Sequence, residues 1–262
     1  MLTRSLAPPI VVDGPRVRLG VLWGAVSLGA LVAGGFASSL VFAAVALAAA
    51  GQASVSWYQP RPPKRPPKRR PYRPVAVGGA VLIALAGAGG PVSVAAAAGI
   101  TGVASLVVRQ TRLGGKRYDP LLTAAIALGV GIAAAVVPVV RDRLGLSAAF
   151  ILLLTIHAVD GSTFLIGSGA RFRWEGRVAA AAAVAVLSLA ASAVLVPPFR
   201  AASPVVLGAI AVVLAPLGPR VASALLPKTT AFAPALRRID SLLVAGPVWA
   251  LVGSFLLEVP AR

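Results

Sequence analysis

Between Leu19 and Trp57 the chain runs 39 residues without a charged side chain. As a helix rising 1.5 Å per residue, that is about 58 Å, nearly twice the ~30 Å hydrocarbon core of a bilayer. The run must therefore turn back on itself, and Gly34-Gly35 offers the place. Apolar stretches of similar character recur almost to the C-terminus and leave no room for a soluble domain. Hydrophobic residues make up 58% of the 262 and charged residues only 12%. Runs of about 18 or more apolar residues are membrane spans, so the chain reads as an all-α, polytopic membrane helix bundle.

Nine transmembrane helices are expected, at about 19–35, 37–57, 75–90, 91–108, 120–140, 145–167, 178–196, 203–218 and 240–257. The third and fourth divide at Gly89-Gly90-Pro91, a helix breaker. The resulting organisation is a cytoplasmic tail (1–18), a first transmembrane pair (19–57), a basic loop (58–74), spans three to five (75–140) and a final membrane region (145–257). With the N-terminus cytoplasmic, 21 of the 25 Lys and Arg fall on the inner side. Only Arg141, Arg143, Arg200 and Arg262 fall outside. That asymmetry is the positive-inside pattern, and it points to a bacterial inner membrane. The small-residue stretch Ala48–Ala53 resembles a signal-peptide cleavage site, but the apolar run around it is far longer than an h-region of 7–15 residues.

The net charge of +18 is thus read as topological, with no nucleic-acid partner expected. Cysteine is absent and His157 is the only histidine, which excludes disulfides, thiolate metal sites and paired-histidine chemistry. Residues 60–74 hold seven prolines and seven basic residues, an extended polyproline segment. It lies against anionic headgroups as a topology determinant, or alternatively docks a partner protein.

Seven carboxylates remain to carry chemistry. Asp160 is the only charged residue between Leu144 and Ala170. Acids at such positions cost several kcal/mol to insert and usually face a cavity or bundle interior. His157 shares its helix face, so a local His–Asp contact between helices is the competing, purely structural reading. A proton-coupled transporter built on that pair is a weaker alternative, since no internal repeat is present. Next, Arg171, Arg173 and Arg177 surround Trp174-Glu175-Gly176 where a span ends. This suits either phosphate binding or interfacial anchoring. Finally, Arg237, Arg238, Asp240 and Ser241 open the last span, where an Asp-Ser pair also serves as a helix cap.

Taken in order, these segments resemble the phosphatidate cytidylyltransferase (CDP-diacylglycerol synthase) family over residues 145–257. Asp160-Gly161-Ser162-Thr163-Phe164-Leu165-Ile166-Gly167 resembles the family's Asp-x-x-Ala-Tyr-x-x-Gly, and Arg171-Phe172-Arg173-Trp174-Glu175-Gly176 its basic stretch ending in Trp-Glu-Gly. Arg237-Arg238-Ile239-Asp240-Ser241-Leu242 is similar to its closing Asp-Arg-x-Asp-Ser-Leu. The segment from Gly218 to Asp240 departs from the family: the His-Gly-Gly is missing, and Arg237 stands where the first aspartate of the pair is expected. The resemblance implies transfer of CMP from CTP to a membrane lipid phosphate, in phospholipid biosynthesis. It further implies Mg²⁺ as cofactor, Asp160 and Asp240 as its ligands, and a homodimer. Arg171, Arg173, Trp174, Glu175, Arg238 and Lys228 would bind substrate. The alternative is a catalytically silent relative that binds lipid or a partner membrane protein.

Overall fold

The computed structural model describes residues 14–58, 70–110, 118–168, 170–172, 174–200, 202–228 and 231–257. Most of the proline-rich segment, Arg173 and Glu258 lie outside the described residues. Ten α-helices follow in order: α1 (Gly14–Ala33), α2 (Gly35–Ser56), α3 (Arg73–Ala86), α4 (Gly90–Gln110), α5 (Pro120–Leu144), α6 (Leu146–Leu165), α7 (Glu175–Val194), α8 (Ser203–Leu214), α9 (Gly218–Ala224) and α10 (Ala245–Leu256). There is no β-strand among the described residues.

Among the described residues, six stretches are long and apolar enough to cross a membrane: Gly35–Ser56, Arg73–Val108, Pro120–Leu144, Leu146–Leu165, Glu175–Val194 and Ser203–Ala224. Two further apolar helices, Arg18–Ala33 and Ala245–Leu256, are shorter. The difference from nine has a simple origin. Only Arg18–Ala33 of the 20-residue α1 enters the comparison, α10 has 12 residues, and α3 and α4 merge into one 36-residue stretch. That stretch is interrupted by a 3-10 turn at Gly87–Gly89, and its two legs pack against each other, which one continuous rod could not do. Large apolar side chains point outward from many helices, among them Val103, Leu106, Val186, Leu189 and Phe255. Exposed apolar area on this scale marks a surface made for lipid. The chain is a helical membrane protein.

The sharp helix breaks fall where the backbone needs glycine. Gly34, Gly90 and Gly145 have φ of 133°, 80° and 90°, values that a side chain disfavours. Around α5 the bundle closes: this helix packs against α2, α3, α4, α6 and α10. Small residues permit the approach; a Cβ on Gly131 would lie 2.8 Å from Ile83 Cβ and 3.1 Å from the Ala80 backbone.

Hydrogen bonds sort the helix termini into two ends. At one end Trp57 Nε1 donates to Leu225 O (3.0 Å), Tyr58 OH to Pro71 O (2.6 Å) and Ala235 N to Gln52 Oε1 (2.9 Å). Asp119 N donates to Arg70 O there as well (2.8 Å). At the opposite end Arg141 Nε donates to Leu31 O (2.6 Å), while Asp142 Oδ2 lies 3.3 Å from where a Gly90 Cβ would stand.

Candidate functional site

Asp160 lies in the last turns of α6, and Ser241 lies 81 residues further on, in the 3-10 turn Ser241–Leu243 that precedes α10. The Ser241 hydroxyl donates to Asp160 Oδ1 at 2.6 Å. Asp240 caps the same turn, accepting from Ser241 N at 2.9 Å. One serine therefore joins both aspartates. Asp160 is exposed on the surface of the isolated bundle, whereas Asp240 is buried.

Arg237 completes the buried side. Its Nη1 stands 3.6 Å from Asp240 Oδ2, and the guanidinium also donates to Pro219 O (3.1 Å) and Ser223 Oγ (3.0 Å). Burial, followed by the neighbouring Asp160 charge, pushes the Asp240 carboxyl up to about 7, against the opposing pull of Arg237. The α9 start fits closely here, because a Cβ on Gly218 would collide with the Asp240 carbonyl oxygen.

On the other flank, His157 sits one turn before Asp160, its Nε2 3.3 Å from Ser27 Oγ on α1. Gly24 lies against the same imidazole, and Gly20 against an Nη of Arg238 (4.0 and 3.5 Å from the ideal Cβ positions). Arg238 is half-buried and close enough to act electrostatically on both Asp160 and His157. Among the described residues it makes no hydrogen bond or ion pair. Gly20, Gly24 and Ser27, spaced to share one helix face, are thus a wall of the site that the sequence reading did not single out. Their small-residue spacing was the available signal.

The remaining candidates lie apart from this cluster. Glu175 is taken up by its own turn, its Oε1 accepting from Phe172 N at 2.9 Å. Gly176 lets α7 start directly against α6, since its Cβ position is 3.0 Å from Gly167 Cα. Phe172 and Trp174 stack at 6.1 Å, with Arg171 over the Phe172 ring at 5.6 Å; all three are exposed. This is an arginine-aromatic surface suited to the membrane interface. Lys228 is exposed, in the segment after α9. Arg173 lies outside the described residues.

Whether the pair of aspartates suits Mg²⁺ can be judged from these contacts. A hard cation needs free anionic oxygens in near-octahedral geometry. Here one oxygen of each carboxylate is committed to Ser241, and the other oxygen of Asp240 faces a guanidinium. Among the described residues, no group of three or more His, Asp or Glu could hold a metal ion. These contacts draw both carboxylates into the protein's own hydrogen-bond and ion-pair network. No protein-family model, curated protein or solved structure matches the chain.

Proposed function

We propose that this chain is a catalytically silent relative of the phosphatidate cytidylyltransferases that holds an anionic lipid headgroup beside Arg238. The Arg237–Asp240 ion pair carries the reading. A guanidinium fixed by three contacts stands at a carboxylate that the resemblance would give to the metal. Its positive charge repels a divalent cation and neutralises the acid that would bind one.

Nine crossings are the topology that best accommodates the two ends of the bundle. Treating α3 and α4 as separate legs, and α1 and α10 as crossings, brings the α2–α3, α4–α5, α6–α7 and α9–α10 connections to one end. Hydrogen bonds tie several of these connections together. In the nine-span reading the segments joined at this end hold 21 of the 25 basic residues, which makes it cytoplasmic by the positive-inside rule, with the N-terminus inside. Arg238 then lies at headgroup depth. A half-buried cation that makes no hydrogen bond or ion pair among the described residues is stabilised by an anion, and at that depth the abundant anion is a lipid phosphate. Phosphatidate is the first candidate.

A second reading, CTP-dependent synthesis of a CDP-lipid, draws on the meeting of Asp160 and Asp240 at Ser241. The two readings separate in a transfer assay with purified protein, phosphatidate, CTP and Mg²⁺ or Mn²⁺. No CDP-lipid above background is expected. Product that disappears in Asp160→Asn would overturn the silent reading and establish the enzyme.

A further inference from the structure

On the same end as the Arg238 site, but on another face, a groove of about 450 Å³ runs between α2, α3 and the segment around Phe232. Its volume falls in the range of ligand-binding clefts. Leu47, Gly51 and Val55 of α2 are among the residues along its length, Phe232 forms part of the far wall, and Arg73 is the one charged lining residue among the described residues. Gln52 also lines it, with its Oε1 held by Ala235 N. The Gln52 amide N–H groups therefore have no partner among the described residues. Both polar features offer donors and positive charge, which suits an anion.

Two further observations fix the kind of occupant. Arg73 begins α3 beside Tyr58, Tyr72 and Arg70, with Arg70 over the Tyr58 ring at 5.4 Å. Such amphipathic aromatics sit at the membrane–water boundary. From that level the groove follows α2 from Ser56 back to Leu47, a depth of about 14 Å into the hydrocarbon. Gly51, inside α2, would meet nothing within 4 Å if given a Cβ. Glycine inside a helix costs about 1 kcal/mol relative to alanine, and no packing neighbour accounts for this one.

We propose that this groove binds one anionic phospholipid, its phosphate on Arg73 and the Gln52 amide and its acyl chain along Leu47, Gly51 and Val55. The site is independent of the Arg238 reading. It is tested by native mass spectrometry of the full chain in detergent, with phosphatidylglycerol or phosphatidylcholine of matched acyl chains. The parent should retain phosphatidylglycerol about tenfold more tightly than phosphatidylcholine. Arg73→Gln should remove that preference. Gly51→Leu, whose Cβ would meet no neighbour within 4 Å, should lose one bound lipid of either type. Arg238→Gln should leave the groove lipid in place. Equal retention of the two lipids by the parent, or a parent-like lipid profile in either groove variant, overturns the proposal.

Discussion

Gly218→Ala should destabilise the protein by about 3 kcal/mol, the upper part of the range for overpacking a closed site. That corresponds to a fall in melting temperature on the order of 5–10 °C. In an open helix the same substitution would stabilise by restricting the unfolded chain. Gly218 has φ of −53°, so no backbone strain opposes alanine. The sign is reversed by the Asp240 carbonyl oxygen, which occupies the space of the new methyl group, with the Ser241 Cα only 2.8 Å from it. These are backbone atoms and cannot rotate away. The turn carrying Asp240 and Ser241 must move, and the Ser241–Asp160 hydrogen bond moves with it. Thermal denaturation in detergent reads the effect. An unchanged or higher melting temperature would mean that α9 does not pack on this turn.

The second large effect depends on pH. Asp240 is held up to about 7 against an ordinary value of 3.8, so the folded state binds its proton more tightly than the unfolded chain. Stability from this group is fully present below pH 3.8 and declines as pH rises towards 7. Arg237 favours the charged form and limits that decline. In Arg237→Met the carboxyl titrates higher still, and the decline continues above pH 7. Relative to the parent, the variant loses a pH-independent part, from the hydrogen bonds to Pro219 and Ser223. It also loses a pH-dependent part of about 1–2 kcal/mol by pH 8, less than a fully buried pair would cost because Arg237 is one-third exposed. Denaturation curves at pH 5 and pH 8 separate the two. A parent–variant difference that is the same at both would contradict the pairing of Arg237 with Asp240.

Legibility in the sequence followed the range of the interaction. Apolar run length and the Gly34-Gly35 and Gly89-Gly90-Pro91 breaks are local signals, and they gave the helices and their turns. Run length counted nine crossings, whereas six stretches among the described residues are long and apolar enough to cross, with α3 and α4 in one of them and α10 only 12 residues long. Asp160 and Asp240 were connected only by resemblance, because no periodicity relates residues 80 positions apart. The hydroxyl that joins them, on Ser241, read simply as part of a cap. Arg237 read as a departure from a family pattern. Its reason is tertiary: it neutralises a buried aspartate and ties α9 to the turn before α10. Trp174-Glu175-Gly176 was legible as a motif but not as a device, since its glycine serves the close meeting of α6 and α7.

The proposed anionic-lipid site beside Arg238 is tested most directly by thermal stabilisation of the purified protein in phosphatidylcholine nanodiscs. Ligand bound only by the folded state stabilises it by about 2.7 kcal/mol at a hundredfold excess over the dissociation constant. Phosphatidate should raise the melting temperature, Arg238→Gln should remove most of that rise, and Mg²⁺ with CTP should leave the parent unchanged. Stabilisation by Mg²⁺ with CTP that is lost in Asp160→Asn, together with no response to phosphatidate, would contradict the account.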